Sequence, residues 1–507
     1  MSGRFLLGVD IGTFSSKGML VRADDGRVVA QRTVEHKLDI PAPGRAEHDP
    51  DTVWWADFLA ICADLLKTSG VDARDIAAVG ISTISPAVVV VDGEGRALRS
   101  AILYGIDTRA KDEIAELSAL TGAALDSQSA APKIMWIRRH EPEVWARTRA
   151  VLNGSGYLNL KLTGENTIDI YDASIFAPFF DTEKAAWSAE LSQLGAPVEM
   201  MPRPTWTAEV AGRVTDAAAR ETGLAAGTPV ITGTADAAAE AVSAGLAASG
   251  DMMLMYGSST FFILRTEALA APRGFWSSRF LEKSSFVVAG GTATAGSLTR
   301  WFRDNFGAGE LAAERSGGHD AYAALAELAA ASPPGARGLV ALPYFSGERT
   351  PIGDPDAKGL VFGLTLAHSR ADVYRALLES VGFSIRHNIE ALAAEGCVAR
   401  RILAVGGGTQ NPAWMQMVSD IAGITQEIPV RQAGAAEGGA AYGDAFLAGV
   451  GAGIFSGTKD ISRWARDTQV IQPRTDDKAV HDAHYRIYRE LYERNAGLMH
   501  DLARLGQ

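Results

Sequence analysis

Short apolar runs closed by glycine and hydroxyl residues recur along this chain. They alternate with longer stretches of helical spacing, and that alternation predicts an α/β protein. Residues 5–10 have the pattern of a buried strand, 17–22 of its hairpin partner and 27–33 of a third strand, with Asp24, Asp25 and Gly26 as a turn. Asp51 is the expected cap of a helix through Trp54, Trp55, Phe58, Leu59 and Leu66. Strands are predicted at 76–82, 87–92 and 229–232, and helices at 110–120, 132–139, 157–162 and from Asp236 onward.

A second strand–glycine–strand unit then appears: 252–256, the turn Gly257-Ser258-Ser259-Thr260, and 261–265. It matches the opening unit, whose turn is Gly12-Thr13-Phe14-Ser15-Ser16. A hairpin tipped with glycine and hydroxyls near the start of each half predicts a duplicated architecture. The boundary falls near 245–250, giving domains 1–246 and 247–507. Further on, strands are expected at 338–342 and 402–405. Helices are expected at 370–392, 412–422 and 436–448, with an amphipathic one at 478–504.

Composition narrows the picture. A chain of 507 residues with 47% hydrophobic and 21% charged residues is folded and large enough for two cores. The net charge of -12 argues against a general attraction to nucleic acid or to anionic membranes. Two cysteines, Cys62 and Cys397, exclude a disulfide framework and a cysteine-built zinc site. No apolar run has membrane-spanning length and no signal-peptide pattern opens the chain, so a cytoplasmic location is expected. The tryptophans, by their apolar neighbours, are expected mostly in core or interface positions. His481 and His484, one turn apart with no third ligand, are expected on a solvated helix face.

Five segments carry candidate chemistry. In Asp10-Ile11-Gly12-Thr13-Phe14-Ser15-Ser16-Lys17 a carboxylate ends a strand and a turn with hydroxyls and a cation follows. Such a turn can cradle phosphates, with Asp10 toward a metal; it can equally be an ordinary polar hairpin. Gly257-Ser258-Ser259-Thr260 can clasp phosphates in the same way, or be a tight turn. Gly406-Gly407-Gly408-Thr409-Gln410-Asn411-Pro412 offers bare backbone to a flat ligand at a helix start, or is a packing loop. In Gly233-Thr234-Ala235-Asp236 the aspartate is either a helix cap or a general base. Asp107 and Arg109, in Tyr104-Gly105-Ile106-Asp107-Thr108-Arg109, can bond sugar hydroxyls or form an ion pair.

In this order the segments resemble the FGGY carbohydrate kinases of the actin-like ATPase superfamily. The flanks agree: Ala46-Glu47-His48-Asp49-Pro50 before Trp54-Trp55, Leu162-Thr163-Gly164-Glu165, Gly359-Leu360-Val361-Phe362-Gly363-Leu364 with Arg375 and Glu379 after it, and Glu437-Gly438-Gly439-Ala440-Ala441-Tyr442-Gly443. The resemblance runs from about residue 5 to 450. It implies two ribonuclease-H-like α/β domains with a cleft between them, the first binding sugar and carrying the base, the second binding ATP. By this resemblance Asp236 is the base and Asp10 serves Mg. Gly12, Thr13, Ser15 and Lys17 face the phosphates, as do Gly257, Ser258 and Ser259. Gly407, Gly408 and Asn411 line the adenosine site, and Asp107 and Arg109 stand by the sugar.

One segment departs from the family pattern. Thr83-Ile84-Ser85-Pro86-Ala87 stands where relatives place polar or Met-His substrate contacts, leaving Ser85 as the substrate-side candidate. Tyr104 likewise precedes Gly105-Ile106-Asp107 where a tryptophan is frequent. The expectation is ATP- and Mg-dependent phosphorylation of a pentulose such as xylulose or ribulose. The alternatives are another polyol or hexulose, or a regulatory protein that binds nucleotide or sugar without catalysis. By analogy a homodimer is the expected assembly.

Overall fold

The computed structural model describes residues 5–430, 439–464 and 467–505. Glu437 and Gly438 of the last glycine/alanine motif lie outside them. The opening apolar run forms the strand Phe5–Ile11, antiparallel to Ser15–Arg22, which pairs in turn with Val28–Glu35. On its other side Phe5–Ile11 runs parallel to Ile76–Thr83, followed by Pro229–Ile231 in parallel and Val210–Arg213 as an antiparallel edge. The second half repeats this plan. Asp251–Tyr256, Thr260–Thr266 and Phe286–Gly290 form the antiparallel meander. Arg401–Val405 and Gln426–Pro429 add in parallel, and Thr468–Ile471 closes the edge. The duplication expected from the two glycine hairpins is therefore a duplication of whole sheets.

Two compact units form around these sheets. Residues 5–247, 278–285 and 439–464 belong to the first; residues 248–277, 286–430 and 467–505 belong to the second. The expected division at 246/247 lies one residue from the first crossing, but two later segments return to the first unit. Strand glycines account for one of these returns. Gly8 and Gly80 are register partners on the two central parallel strands. With no side chain at either position, the backbone of helix Gly439–Gly451 lies directly on the sheet: a Cβ on Gly8 would overlap the carbonyl of Ala441, and one on Gly80 the carbonyl of Asp444. Gly443 makes the same close approach to the carbonyl of Ala239 in helix Asp236–Ala244. Gly8→Ala is therefore expected to cost about 3 kcal/mol, because the atoms its Cβ would overlap, the Ala441 carbonyl oxygen and the Ala445 nitrogen, are both backbone. A thermal melt of the variant should show the first unit unfolding earlier; an unchanged midpoint would mean that the helix can slide away freely.

Leu7, Val9, Ile11, Trp54, Phe58, Ile61 and Val79 fill one core of the first unit. In the second unit Leu254, Leu264, Leu342, Phe383 and Val418 do the same. Among the tryptophans Trp54, Trp414 and Trp464 are buried, whereas Trp276 and Trp301 are exposed. Two local expectations are corrected. Asp49, not Asp51, caps the first helical segment: its Oδ1 accepts from the N–H groups of Asp51 and Thr52, both at 2.9 Å. The Asp51 carboxylate instead accepts from Tyr157 and Lys161. His481 is buried at 3% exposure within helix Lys478–Leu505, so it does not lie on a solvated face; His484 is half-buried.

Candidate active site

Register brings the first unit's carboxylates together. Asp10, near the end of its strand, is paired with Lys17 on one side and Ser82 on the other. Ser82 is paired in turn with Thr234. Asp236 follows two residues later as the first residue of helix Asp236–Ala244. Gly233 makes this entry possible: its φ of +75° is left-handed, and a Cβ would overlap the carbonyl of Ile81. Asp236 is not the helix cap; Ala235 holds that position without a side-chain bond. The Asp236 Oδ1 accepts from the Ala237 N–H at 2.8 Å.

Both carboxylates retain some solvent exposure and both are strongly perturbed. Burial first, and Glu240 second, push Asp10 up to about 7, against the pull of the Ser82 bond and Lys17. Burial first, and Asp10 second, push Asp236 up to about 7. Asp172 adds to this rise. Asp172 is itself buried and bonded by Ser85 and Asn153. Asp169 beside it accepts from Thr207 and Thr234, both at 2.9 Å. Burial raises both of these carboxyls as well. Ser85 is thus engaged with Asp172, within a set of acids that reaches Asp236.

The turn after Asp10 is tight. The Gly12 N–H donates to the Ser15 carbonyl at 2.9 Å, and the Thr13 hydroxyl bonds the Tyr104 hydroxyl at 2.9 Å. Ser16 donates to Asp57 at 2.6 Å. His36 bridges Asp57 at 2.8 Å and the Gly12 carbonyl at 3.1 Å, fastening the turn from below. Ser15 and Lys17 flank it in the second strand.

The side chains of Asp107 and Arg109 are enclosed, at 0% and 3% exposure. Asp107 Oδ2 accepts from the Ala46 N–H at 2.7 Å and from Arg109 Nη2 at 2.7 Å. Arg109 also pairs with Glu47 at 2.7 Å and lies over the Trp136 ring. Of the two readings of this motif, the ion pair is the one that forms. It braces the loop that carries Tyr104.

In the second unit, the Gly257 N–H donates to the Ser259 carbonyl at 2.9 Å, closing a turn one residue shorter than the opening one. The Ser258 carbonyl accepts from the N–H groups of Ala295 and Ser297, at the start of helix Gly296–Phe306. Gly406 has a left-handed φ of +91°, and a Cβ on Gly408 would press on Tyr256 and Trp414. Gly407 faces open space. Asn411 caps helix Pro412–Ala422 by accepting from the Trp414 N–H at 3.0 Å. It also lines a cavity of about 210 Å3 with Ala329, Leu378, Met417 and His481. Neither ring nitrogen of His481 has a partner among the described residues.

Among the described residues no group of three or more His, Cys, Asp or Glu side chains forms a metal-ligand set. One carboxylate at Asp10 still suits Mg, which keeps several waters and takes phosphate oxygens as ligands. No described helix is long and apolar enough to cross a membrane.

Comparison with known proteins decides the family. The N-terminal domain of the FGGY family of carbohydrate kinases matches residues 5–243, and its C-terminal domain matches residues 252–452. Xylulose kinase of Escherichia coli (strain K12) is 30% identical over 97% of this chain and 99% of its own length. This chain is an FGGY carbohydrate kinase. The duplicated sheets are accordingly the two domains of an actin-like ATPase fold. The kinase is also similar in structure to xylulose kinase from Rhodospirillum rubrum, with a TM-score of 0.88 and 33% identity over 98% of this chain and 100% of that one. Glycerol kinase of Nocardia farcinica (strain IFM 10152) is 30% identical over 94% of this kinase and 96% of its own length.

Sequence reasoning missed three residues near the carboxylates of this kinase. Ser82 joins Asp10 to Asp444. Asp444 is fully buried, and burial and Asp10 push its carboxyl well up. His36 holds the Gly12 turn. Only a lone acid inside a glycine/alanine helix hinted at Asp444; the other two carried no distinguishing pattern.

Proposed function

We propose that this kinase transfers the γ-phosphate of ATP to a hydroxyl of a pentulose, xylulose or ribulose, with Asp236 as the general base. The observation that carries the reading is the register Asp10–Ser82–Thr234, which sets two perturbed carboxylates on either side of the strand Ile76–Thr83, Asp10 in one flanking strand and Asp236 at the helix start that follows the other. A carboxylate poised near neutrality can accept the proton of an attacking hydroxyl and return it to solvent within one turnover. The Asp236 carboxylate bonds the attacking hydroxyl, orients it and takes its proton as the bond from the sugar oxygen to the γ-phosphorus forms and the bond from that phosphorus to the bridging oxygen of ADP breaks, ADP being the leaving group. Asp10 would hold Mg, which when bound would neutralise charge on the phosphates.

The Gly12–Lys17 turn and the Gly257–Ser259 turn supply N–H groups, hydroxyls and one cation to phosphate oxygens. Gly407 offers bare backbone to the adenosine, with Gly408 and Asn411 shaping the strand-to-helix junction beside it. Ser85, through Asp172, borders the sugar end. Asp107 and Arg109 support that end from inside the loop.

The pentulose is favoured by the two xylulose kinases above. The similar glycerol kinase makes glycerol the principal competitor. Coupled ATP turnover over pentuloses, hexuloses, glycerol and gluconate tests the choice. Xylulose or ribulose is expected to exceed glycerol in kcat/KM by at least about tenfold, the discrimination that a few added hydroxyl contacts supply. Higher kcat/KM with glycerol than with either pentulose would overturn the substrate assignment. Nucleotide binding without turnover on any member of the panel would favour a regulatory protein.

A further inference from the structure

Asp444 is the one charged residue of helix Gly439–Gly451, a segment otherwise made of Gly, Ala and apolar or aromatic side chains. Its Oδ2 lies 2.6 Å from Ser82 Oγ, and the same Oγ lies 3.2 Å from Asp10 Oδ1. Asp444 and Ser82 are both at 0% exposure. The other oxygen, Asp444 Oδ1, has no hydrogen-bond partner among the described residues.

A hydroxyl carries a single hydrogen, and Ser82 stands between two carboxyl groups. Two hydrogen bonds at that oxygen require a second hydrogen, which must reside on one of the two acids. Ionised, Asp444 would keep a charged oxygen enclosed with no donor, a heavily penalised arrangement. Asp10 retains solvent exposure and lies across from Lys17. We propose that Asp444 is a neutral carboxylic acid that positions Asp10: it donates its proton to Ser82, and Ser82 thereby turns its own hydrogen onto the Asp10 carboxylate.

The titratable groups around Asp444 agree with this. Asp10 faces it from the opening strand and Asp236 from helix Asp236–Ala244; both disfavour a further negative charge. Glu240 on that helix acts on Asp10, and Lys17 on the second strand is the opposing cation. The glycine-mediated seating of Gly439–Gly451 on the sheet is what delivers the Asp444 side chain to Ser82. A residue 362 positions from Ser82 in sequence thus completes the support of the opening carboxylate.

The inference rests on the role proposed for Asp10, and the experiment separates the two. Infrared difference spectra of the wild type against D444N at pH 8 should show a protonated-carboxyl C=O stretch lost in the variant. This readout needs neither metal nor substrate. In kinetics, D444A and S82A should each lower kcat by about tenfold, the worth of one hydrogen bond to a charged group. D444N, which keeps a neutral donor toward Ser82, should restore most of the activity lost in D444A. If D444A does not fold, the spectra and S82A decide. Absence of the carboxyl band, an undiminished kcat in S82A, or a D444N variant as impaired as D444A would each overturn the proposal. Full activity in D10N with the band still present would instead overturn the role given to Asp10.

Discussion

Replacement of Asp236 by asparagine is expected to lower kcat/KM for the sugar by about 10³- to 10⁴-fold, the upper range for loss of a positioned general base. Asparagine keeps the size of the side chain and can still accept from the Ala237 N–H, so the helix start survives. What is lost is the capacity to take a proton. ATP binding, measured by calorimetry without sugar, should change by less than about twofold, since the nucleotide contacts are assigned to other residues. The wild-type pH profile carries the same signature. With Asp236 raised to about 7 by burial first and Asp10 second, the active, deprotonated form is lost as the pH falls through that value. The logarithm of kcat/KM should therefore fall with a slope of about one per pH unit on the acid side. Turnover by Asp236→Asn at more than a tenth of the wild-type rate would remove the base assignment.

Asp10→Asn should have opposite effects on activity and stability. Activity is expected to fall by about 10²- to 10³-fold, a loss comparable to removal of one electrostatic stabiliser of the transferring group. The fold should gain. The Asp10 carboxyl rises from 3.8 to about 7 in the native state. Between those values the native state holds a proton that the unfolded chain has released. Stability therefore drops as pH rises across that window, and the full penalty is present above it. Asparagine does not carry that penalty. The variant should melt a few degrees above the wild type at pH 8, with the difference vanishing near pH 4. Equal melting temperatures at pH 8 would show that Asp10 is solvated rather than enclosed. Gain in stability with loss of activity is the trade expected where a site holds charges in an unfavourable environment.

Elements and motifs were the legible part. The apolar runs at 5–10, 252–256 and 402–405 and the helical spacing at 370–392 and 478–504 appear as strands and helices within a few residues of expectation. Strand and helix periods are local properties, written into side-chain order. The glycine turns were equally legible, because few other residues allow a close backbone approach or a left-handed φ at positions such as Gly233 and Gly406. Asp10 and Asp236 stood out as candidates for the same local reason: one stands near the end of a strand and the other opens a helix, and the sequence declares both element types.

What side-chain order did not contain was which distant groups would share an enclosure. Asp107 and Arg109 have the spacing of sugar contacts, yet burial beside Ala46 and Glu47 turns them into a brace. His481 reads as solvated until helix packing encloses it. Asp444 lies in a stretch assigned by position to the second half; glycines on two strands let its helix settle on the first sheet. Charge state followed from that enclosure, since desolvation and neighbouring carboxylates act through space and not along the chain. Local chemistry was therefore a property of the sequence, whereas proximity, and every proton held because of it, came from the folding of the chain.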